Sequence, residues 1–361
     1  MEQNVVDLFR KLVEIDSPSF KESELANYLS VELEKLDFDV KLDKHEKTTN
    51  IIGKRSGSGS TILLSAHMDT VQSNKGVKIV EKNGKIRTDG KTILGADDKA
   101  GITAILSGIK KTISEGKKLH PLEVIFTYGE EIGLCGAKKV NSNDLKAQLG
   151  YVFDSGGDVG IAINKAPSEI DFHAKVLGKE AHSGVNPEDG VDAIKIAGRI
   201  ISKLKLGRID EDTSSNIGVI KGGEMTNIVC PLVELKGEVR SHNYEKAQQI
   251  INQFEQTFKD VCDQHGGTVE FAKEVIYHNF YLGEDQQVTQ FLKEKLDKLG
   301  LSLKLKSRGG GSDANVFNNK GIPTLNLAVG MANVHTNDEY VSVDNLVKSS
   351  KLVAEIVKKE Q

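Results

Sequence analysis

The chain has 361 residues, 38% of them hydrophobic and 28% charged, with a net charge of −4. That is the make-up of an ordinary globular protein long enough for two domains, and it offers no basic field for nucleic acid or an anionic membrane surface. Aromatics make up 5% and Trp is absent, which leaves little for stacking on bases or sugars, and no apolar run approaches the roughly 20 residues that span a bilayer.

Residues 4–15 place Val5, Leu8, Phe9, Leu12 and Val13 on one helical face. The same stretch carries an early acid and lacks the charged start and apolar core of a signal peptide, so a cytoplasmic location is expected. Ser17-Pro18 interrupts, and a second helix follows with Leu25, Leu29, Leu33 and Leu36 as its stripe. "TNIIGKR" and "STILLSAHMD" read as strands joined by the flexible "SGSGS". "DKAGITAILSGIKKTISEG" is helical, while "LEVIFTY" and "GYVFDSG" are buried strands. Short apolar strands alternating with amphipathic helices predict an α/β fold with helices on both faces of a sheet. In such sheets ligands collect beyond the C-terminal strand ends.

Near residue 165 the rhythm changes. "EIDFHAKVLG" alternates in period two, "GVDAIKIAGRIISKLKLG" is helical, and "NIGVIKGG", "LVELKGEVR", a helix over 244–262 and "TVEFAKEV" follow. The order β-α-β-β-α-β predicts an inserted α+β, ferredoxin-like domain over 166–277. Residues 1–165 and 278–361 then form the larger domain, closed by the helix "QVTQFLKEKLDKLG" and the strand "TLNLAV". Cys135, Cys230 and Cys262 are odd in number and far apart, as reduced thiols would be.

Polar residues gather where the apolar runs stop. "TILLSAHMDTV" ends in His67 and Asp69, "TILGADDKAG" offers Asp97 and Asp98, "VIFTYGEE" gives Glu130 and Glu131, "YVFDSGG" gives Asp154, and "TLNLAVGMANVHTNDEY" gives His335. Taken singly, each has an ordinary explanation: a surface His-x-Asp pair, a helix cap, acids favoured by a helix dipole. Together they place several carboxylates at one sheet edge, where mutual repulsion must be offset, and bound cations do that best.

"SAHMDTV", "GADDKAG", "TYGEEIGLCGAKK", "VFDSGG", "HSGVNPEDGVDAI", "RGGGSDAN" and "VHTNDEYVSV" resemble the co-catalytic di-zinc exopeptidase superfamily of peptidase T, carboxypeptidase G and aminoacylase, and within it the peptidase T-like tripeptide aminopeptidases most. The resemblance implies a catalytic domain with an inserted lid or dimerisation domain. It implies two Zn²⁺ per chain, with Mn²⁺ or Co²⁺ as alternatives. His67 and Asp154 would serve one metal, Glu131 and His335 the other, and Asp97 would bridge. Asp69 would accept the second imidazole N–H of His67, and Glu130 would be the general base. Asp98 has no such role and is expected as a solvated carboxylate at a helix start. In the inserted domain His182 resembles an oxyanion-stabilising histidine and Asn227 a substrate contact. Arg308 resembles a partner for the substrate carboxylate, with Arg240 a further candidate that an ion pair would equally explain. The expected partner is a short peptide, cleaved at its N-terminus, and the inserted domain is expected to support a homodimer. A carboxypeptidase or an N-acyl-amino-acid amidohydrolase on the same site is the enzymatic alternative. A non-catalytic peptide- or metal-binding protein is the alternative of another class.

Overall fold

The computed structural model describes residues 2–46 and 48–360. The chain divides into two compact units, Met1–Lys165 with Tyr281–Arg308 and Ser312–Gln361, and Ala166–Phe280 with Gly309–Gly311. The return to the first unit comes three residues later than the sequence suggests. The three glycines join the second unit because Gly311 packs on Tyr277: its N–H donates to the phenol oxygen at 2.9 Å, and the ring leaves no room for a Cβ.

The first unit is built on a nine-stranded mixed sheet. Its order is Asp39–His45, Thr48–Arg55, Leu122–Thr127, Ile62–His67, Leu149–Ser155, Thr324–Ala328, Ile161–Ala166 and the short Phe280–Tyr281, with Lys304–Ser307 also pairing Ile161–Ala166. The four strands from Leu122–Thr127 to Thr324–Ala328 in that order run parallel. Ile62–His67, Leu122–Thr127 and Thr324–Ala328 are buried at every position, as strands covered on both faces are. That explains why they read as continuous apolar runs rather than as alternation. Helices Glu2–Glu14, Ser23–Glu34, Ala96–Ser114, Gln287–Lys298 and Val343–Val357 supply cover, each burying an apolar stripe. A second, antiparallel sheet of four short strands joins distant segments in the order Met331–Ala332, Tyr340–Ser342, Lys85–Thr88, Ile79–Lys82.

In the second unit five antiparallel strands lie in the order Gly207–Asp210, Thr213–Gly222, Leu232–Ser241, Ser168–Leu177, Thr268–Tyr277. Gly207–Asp210 is an edge strand additional to the predicted four. Helices Ala193–Lys203 and Tyr244–Gln264 are capped by Asp192 and Asn243, whose side chains accept first-turn amides. They bury Ile196, Ile200, Phe254 and Phe258 against Phe172, Ala174, Leu235 and Val239.

Candidate metal centre

Because the four central strands of the first unit are parallel, their C-terminal ends share one edge. His67 is the last residue of its strand, Asp154 the next to last of Leu149–Ser155, and Glu130-Glu131 follow Leu122–Thr127 by a short turn. His335 is carried by the hairpin between Met331–Ala332 and Tyr340–Ser342, just beyond Thr324–Ala328. Asp97 lies at the start of helix Ala96–Ser114, where Asp97 and Asp98 depart from helical geometry and their shared peptide is cis.

Two groups of ligating side chains result: His67, Asp97 and Asp154, and Asp97, Glu131 and His335. Within each, one ligand atom per residue lies within 4.8 Å of the others, and Asp97 belongs to both. His67 Nε2 stands 3.0 Å from Asp97 Oδ1 and 3.7 Å from Asp154 Oδ1. His335 Nε2 stands 3.1 Å from Glu131 Oε2 and 3.3 Å from Asp97 Oδ2. The two oxygens of Asp97 thus face two different imidazoles.

The imidazole of His67 has a fixed tautomer. Nδ1 lies 3.0 Å from the main-chain carbonyl of Asp69, an acceptor only, so Nδ1 carries the hydrogen and Nε2 is left for a ligand. The Asp69 carboxylate is slightly further off, at 3.5 Å. It has a second task that the sequence does not announce: it accepts from the backbone N–H of Glu130 at 2.9 Å and of Glu131 at 3.3 Å, and from the Ser19 hydroxyl at 2.7 Å. One buried acid therefore ties the glutamate pair to the His67 strand. The turn before the pair needs Gly129, whose φ of 57° is left-handed; its N–H is taken by the buried Glu22.

Asp98 corrects an expectation. It is fully buried, and accepts from the backbone N–H of His67 at 3.2 Å and of Gly101 at 3.1 Å. Gly101 is glycine because a Cβ there would stand 2.1 Å from the Phe153 carbonyl and 2.5 Å from Asp98. Other buried groups were also unforeseen. The Asn326 side chain exchanges two hydrogen bonds with the backbone of Asp154, each 3.1 Å. Glu339 accepts from the amides of Leu94, Gly95 and Asp97. Asp313 accepts from the Thr127 hydroxyl at 2.5 Å. The only sequence signal for these was a polar residue inside an apolar or motif stretch.

The electrostatics show a surplus of negative charge. Burial, then Asp97 and Glu131, push Asp154 up to about 7, against the His67 hydrogen bond. Burial and Asp154 drive Glu130 well above the carboxylate range. Hydrogen bonds to Asp97 and Glu131 lift His335 to about 10. Burial works to raise Asp97 too, but hydrogen bonds from His335 and His67 hold it low. Here the imidazoles stand in for positive charge. Glu131 Oε1 is buried with no hydrogen-bond partner among the described residues. Two imidazoles, three carboxylates and an orphaned carboxylate oxygen fit a pair of divalent cations, of which Zn²⁺, Mn²⁺ and Co²⁺ suit the donor set.

The remaining candidates fall elsewhere. Arg308, exposed in the first unit, has its guanidinium beside Gly156, two residues beyond Asp154. His182 and Asn227 are exposed in the second unit and lie on paired segments, with Ser183 N–H donating to the Asn227 carbonyl at 3.0 Å and a bridge between His182 and Ile228. Arg240 is engaged within its own unit, by Glu238 at 2.9 Å, Glu169 at 3.1 Å and the Tyr277 hydroxyl at 3.0 Å.

Known proteins are similar to this chain in sequence and fold. The sequence profile described as peptidase family M20/M25/M40 matches residues 63–359. The uncharacterized protein YqjE of Bacillus subtilis (strain 168) is 41% identical over 366 residues, 99% of this chain and 98% of its own. Two crystal structures superpose along nearly the whole length, each 37% identical and covering 99% of this chain and 98% of theirs. They are the aminopeptidase PepT of Bacillus cereus ATCC 10987, with a TM-score of 0.91, and a tripeptidase of Staphylococcus aureus subsp. aureus Mu50, with a TM-score of 0.94.

Proposed function

The chain belongs to peptidase family M20/M25/M40, and from that premise we propose that it is a di-zinc exopeptidase removing the N-terminal residue from short peptides, tripeptides above all. The observation that carries this reading is the pair of His-carboxylate groups sharing Asp97, with Glu130 beside them. The two proteins of similar structure described as an aminopeptidase and a tripeptidase support cleavage of short peptides from the N-terminus.

In this reading His67 and Asp154 would hold one metal and Glu131 and His335 the other, with Asp97 available to both. Bound metals supply polarisation of the scissile carbonyl and a lowered pKa for the attacking water. Glu130 takes the proton from that water and returns it to the leaving amine. Asp69 keeps Glu130 and Glu131 in register by holding both amides. Arg308 pairs with the far carboxylate of the peptide through its planar fork. His182 steadies the oxyanion, Asn227 contacts substrate beside it, and the second unit carries a homodimer. Mixing His182→Ala with Glu130→Gln subunits tests that assembly, since each mixed dimer of a shared site would regain one complete set of groups. Among the described residues no helix is long and apolar enough to cross a membrane, in keeping with a cytoplasmic enzyme acting on free peptides.

The test is a panel of di-, tri- and tetrapeptides, free and end-blocked, with and without added Zn²⁺, and products identified by mass spectrometry. Tripeptides should lose their N-terminal residue, N-acetylation should abolish turnover and C-terminal amidation should weaken it. Rapid hydrolysis of the acetylated peptide would move the assignment to an amidohydrolase, and release from the other end to a carboxypeptidase. No turnover of any peptide with metal present would leave a binding protein.

A further inference from the structure

We propose that Glu339 is a positioning residue of the metal centre: its buried carboxylate clamps the turn that presents Asp97 to the loop that presents His335. The proposal rests on the metal reading given above.

Glu339 is 1% exposed. Its Oε2 accepts from the backbone N–H of Leu94 at 2.9 Å and of Gly95 at 2.7 Å, and Oε1 accepts from the N–H of Asp97 at 3.0 Å. Such amides, at the entry to a helix, have no helical carbonyl to bond. Here one side chain from more than 200 residues away takes three of them. Asp97 needs that support because its own backbone is not helical, with ψ of 102°. On the other side, His335 sits in a loop with a left-handed φ of 66° and is half exposed. The loop folds on itself: the Thr336 hydroxyl donates to the Asn333 carbonyl at 2.7 Å, and the Glu339 N–H to the Thr336 carbonyl at 3.2 Å. Glu339 is therefore both the last link of the His335 loop and the acceptor for the Asp97 turn.

The consequence concerns the shared carboxylate. Asp97 must keep Oδ1 toward His67 and Oδ2 toward His335 at once. A shift of its backbone by a fraction of an ångström spoils both directions, and a shift of the His335 loop spoils one. Fixing the two segments to a single carboxylate removes that relative freedom before any metal arrives.

Glu123 is the control. It too is a buried carboxylate, 3% exposed, accepting from the amides of Lys146 and Ala147 at 2.9–3.0 Å. It lies near the N-terminal end of its strand, the opposite end from Glu130. Metal-free wild type, Glu339→Gln, Glu339→Asp and Glu123→Gln would be titrated with Zn²⁺ against a chromophoric chelator. Their Co²⁺ absorption spectra and metal-free melting would be recorded alongside. Glu339→Gln should weaken metal binding roughly 10- to 100-fold, as loss of a group supporting a ligand does, and alter the Co²⁺ spectrum. Glu339→Asp, which keeps the charge but not the reach, should fall between. Glu123→Gln should melt lower yet bind Zn²⁺ as wild type does. Wild-type affinity and spectrum in Glu339→Gln would overturn the proposal, as would equal loss of affinity in Glu123→Gln. Should Glu339→Gln not fold, Glu339→Asp against Glu123→Gln decides by the same criterion. Failure of wild type itself to take up Zn²⁺ would instead sink the metal reading, and the clamp with it.

Discussion

Among the described residues each unit holds a cluster of acids, and the two differ in what offsets their repulsion. In the first unit Asp97, Asp154 and Glu131 make their ion pairs with His67 and His335. In the second, carboxylate oxygens of Glu169, Asp171 and Glu238 lie within 4.8 Å of one another. These acids, however, lie on adjacent antiparallel strands. Arg240 is directly opposite Glu169, and Glu238 opposite Asp171, so all four side chains share one face. The guanidinium of Arg240 reaches both glutamates. A cluster that brings its own permanent cation has its repulsion offset internally. One that brings only imidazoles, which can give up a proton and ligate, has donors that suit a cation from outside. The base among the acids separates the two.

The largest effect should come from the residue common to both halves of the first cluster. Asp97→Asn should hold fewer than about one ion per chain, against about two expected for wild type if it is a two-metal hydrolase, and its peptide turnover should fall to background. Elemental analysis after gel filtration checks this, and an Asp97→Asn protein that retains both ions would break the distinction at its strongest point. Next come the paired glutamates. Glu130→Gln should keep its metals and lose at least about 10²-fold in rate, whereas Glu131→Gln should lose metal from one side. The reverse pattern of metal content would exchange their roles.

These contrasts also show what the sequence could and could not disclose. His67, Asp154 and the glutamate pair were legible because a strand buried on both faces is a continuous apolar run, and the first polar residue after it marks the sheet edge. His335 and Asp97 also stood out after apolar runs, but their ligand roles came only through the family resemblance, since a hairpin loop and a distorted helix start carry no period. Asp98, Glu339 and the amide-holding role of Asp69 were hidden for a different reason. A buried carboxylate is defined by the backbone N–H groups it meets, and those belong to segments 30, 60 or 240 residues away. The small sheet joining residues 79–88 to 331–342 was missed on the same grounds. In the second unit the alternation was plain, but that Arg240 neutralises acids on its own face depends on strand register, which periodicity alone does not give.

The second cluster can be turned toward the first by removing its cation. Arg240→Ala leaves Glu169, Asp171 and Glu238 facing one another, and should lower stability by about 1.5–3 kcal/mol, the scale of hydrogen bonds to charged groups. Millimolar Mn²⁺ should then raise the melting temperature of the variant more than that of wild type. A variant as indifferent to Mn²⁺ as wild type would show that the internal cation is not what distinguishes the clusters. The same protein tests the substrate role considered for Arg240: an unchanged KM for a tripeptide leaves it structural.

The smallest effect is expected at Asp171, and its sign is fixed by linkage. Burial first, then Glu169 and Glu238, push this carboxyl up to about 6 from an ordinary 3.8, with Arg240 pulling the other way, and its Oδ1 has no hydrogen-bond partner among the described residues. The folded protein therefore holds the Asp171 proton more tightly than the unfolded chain does. Below pH 3.8 that preference adds its full stabilisation; as pH rises to about 6 and beyond, the folded form must carry an ionised group in poor surroundings, and the contribution is lost. Asp171→Asn removes the ionisation and keeps the shape. It should melt with wild type near pH 4 and above it at pH 7.5, by less than about 1 kcal/mol once solvent screening of a partly exposed site is allowed for. In the Arg240→Ala background the gain should grow, because the one attractive partner is gone. Equal melting of wild type and Asp171→Asn at both pH values would mean that Arg240 already balances all three acids. A lower melting temperature at pH 7.5 would mean that the Asp171 charge is itself useful to the fold.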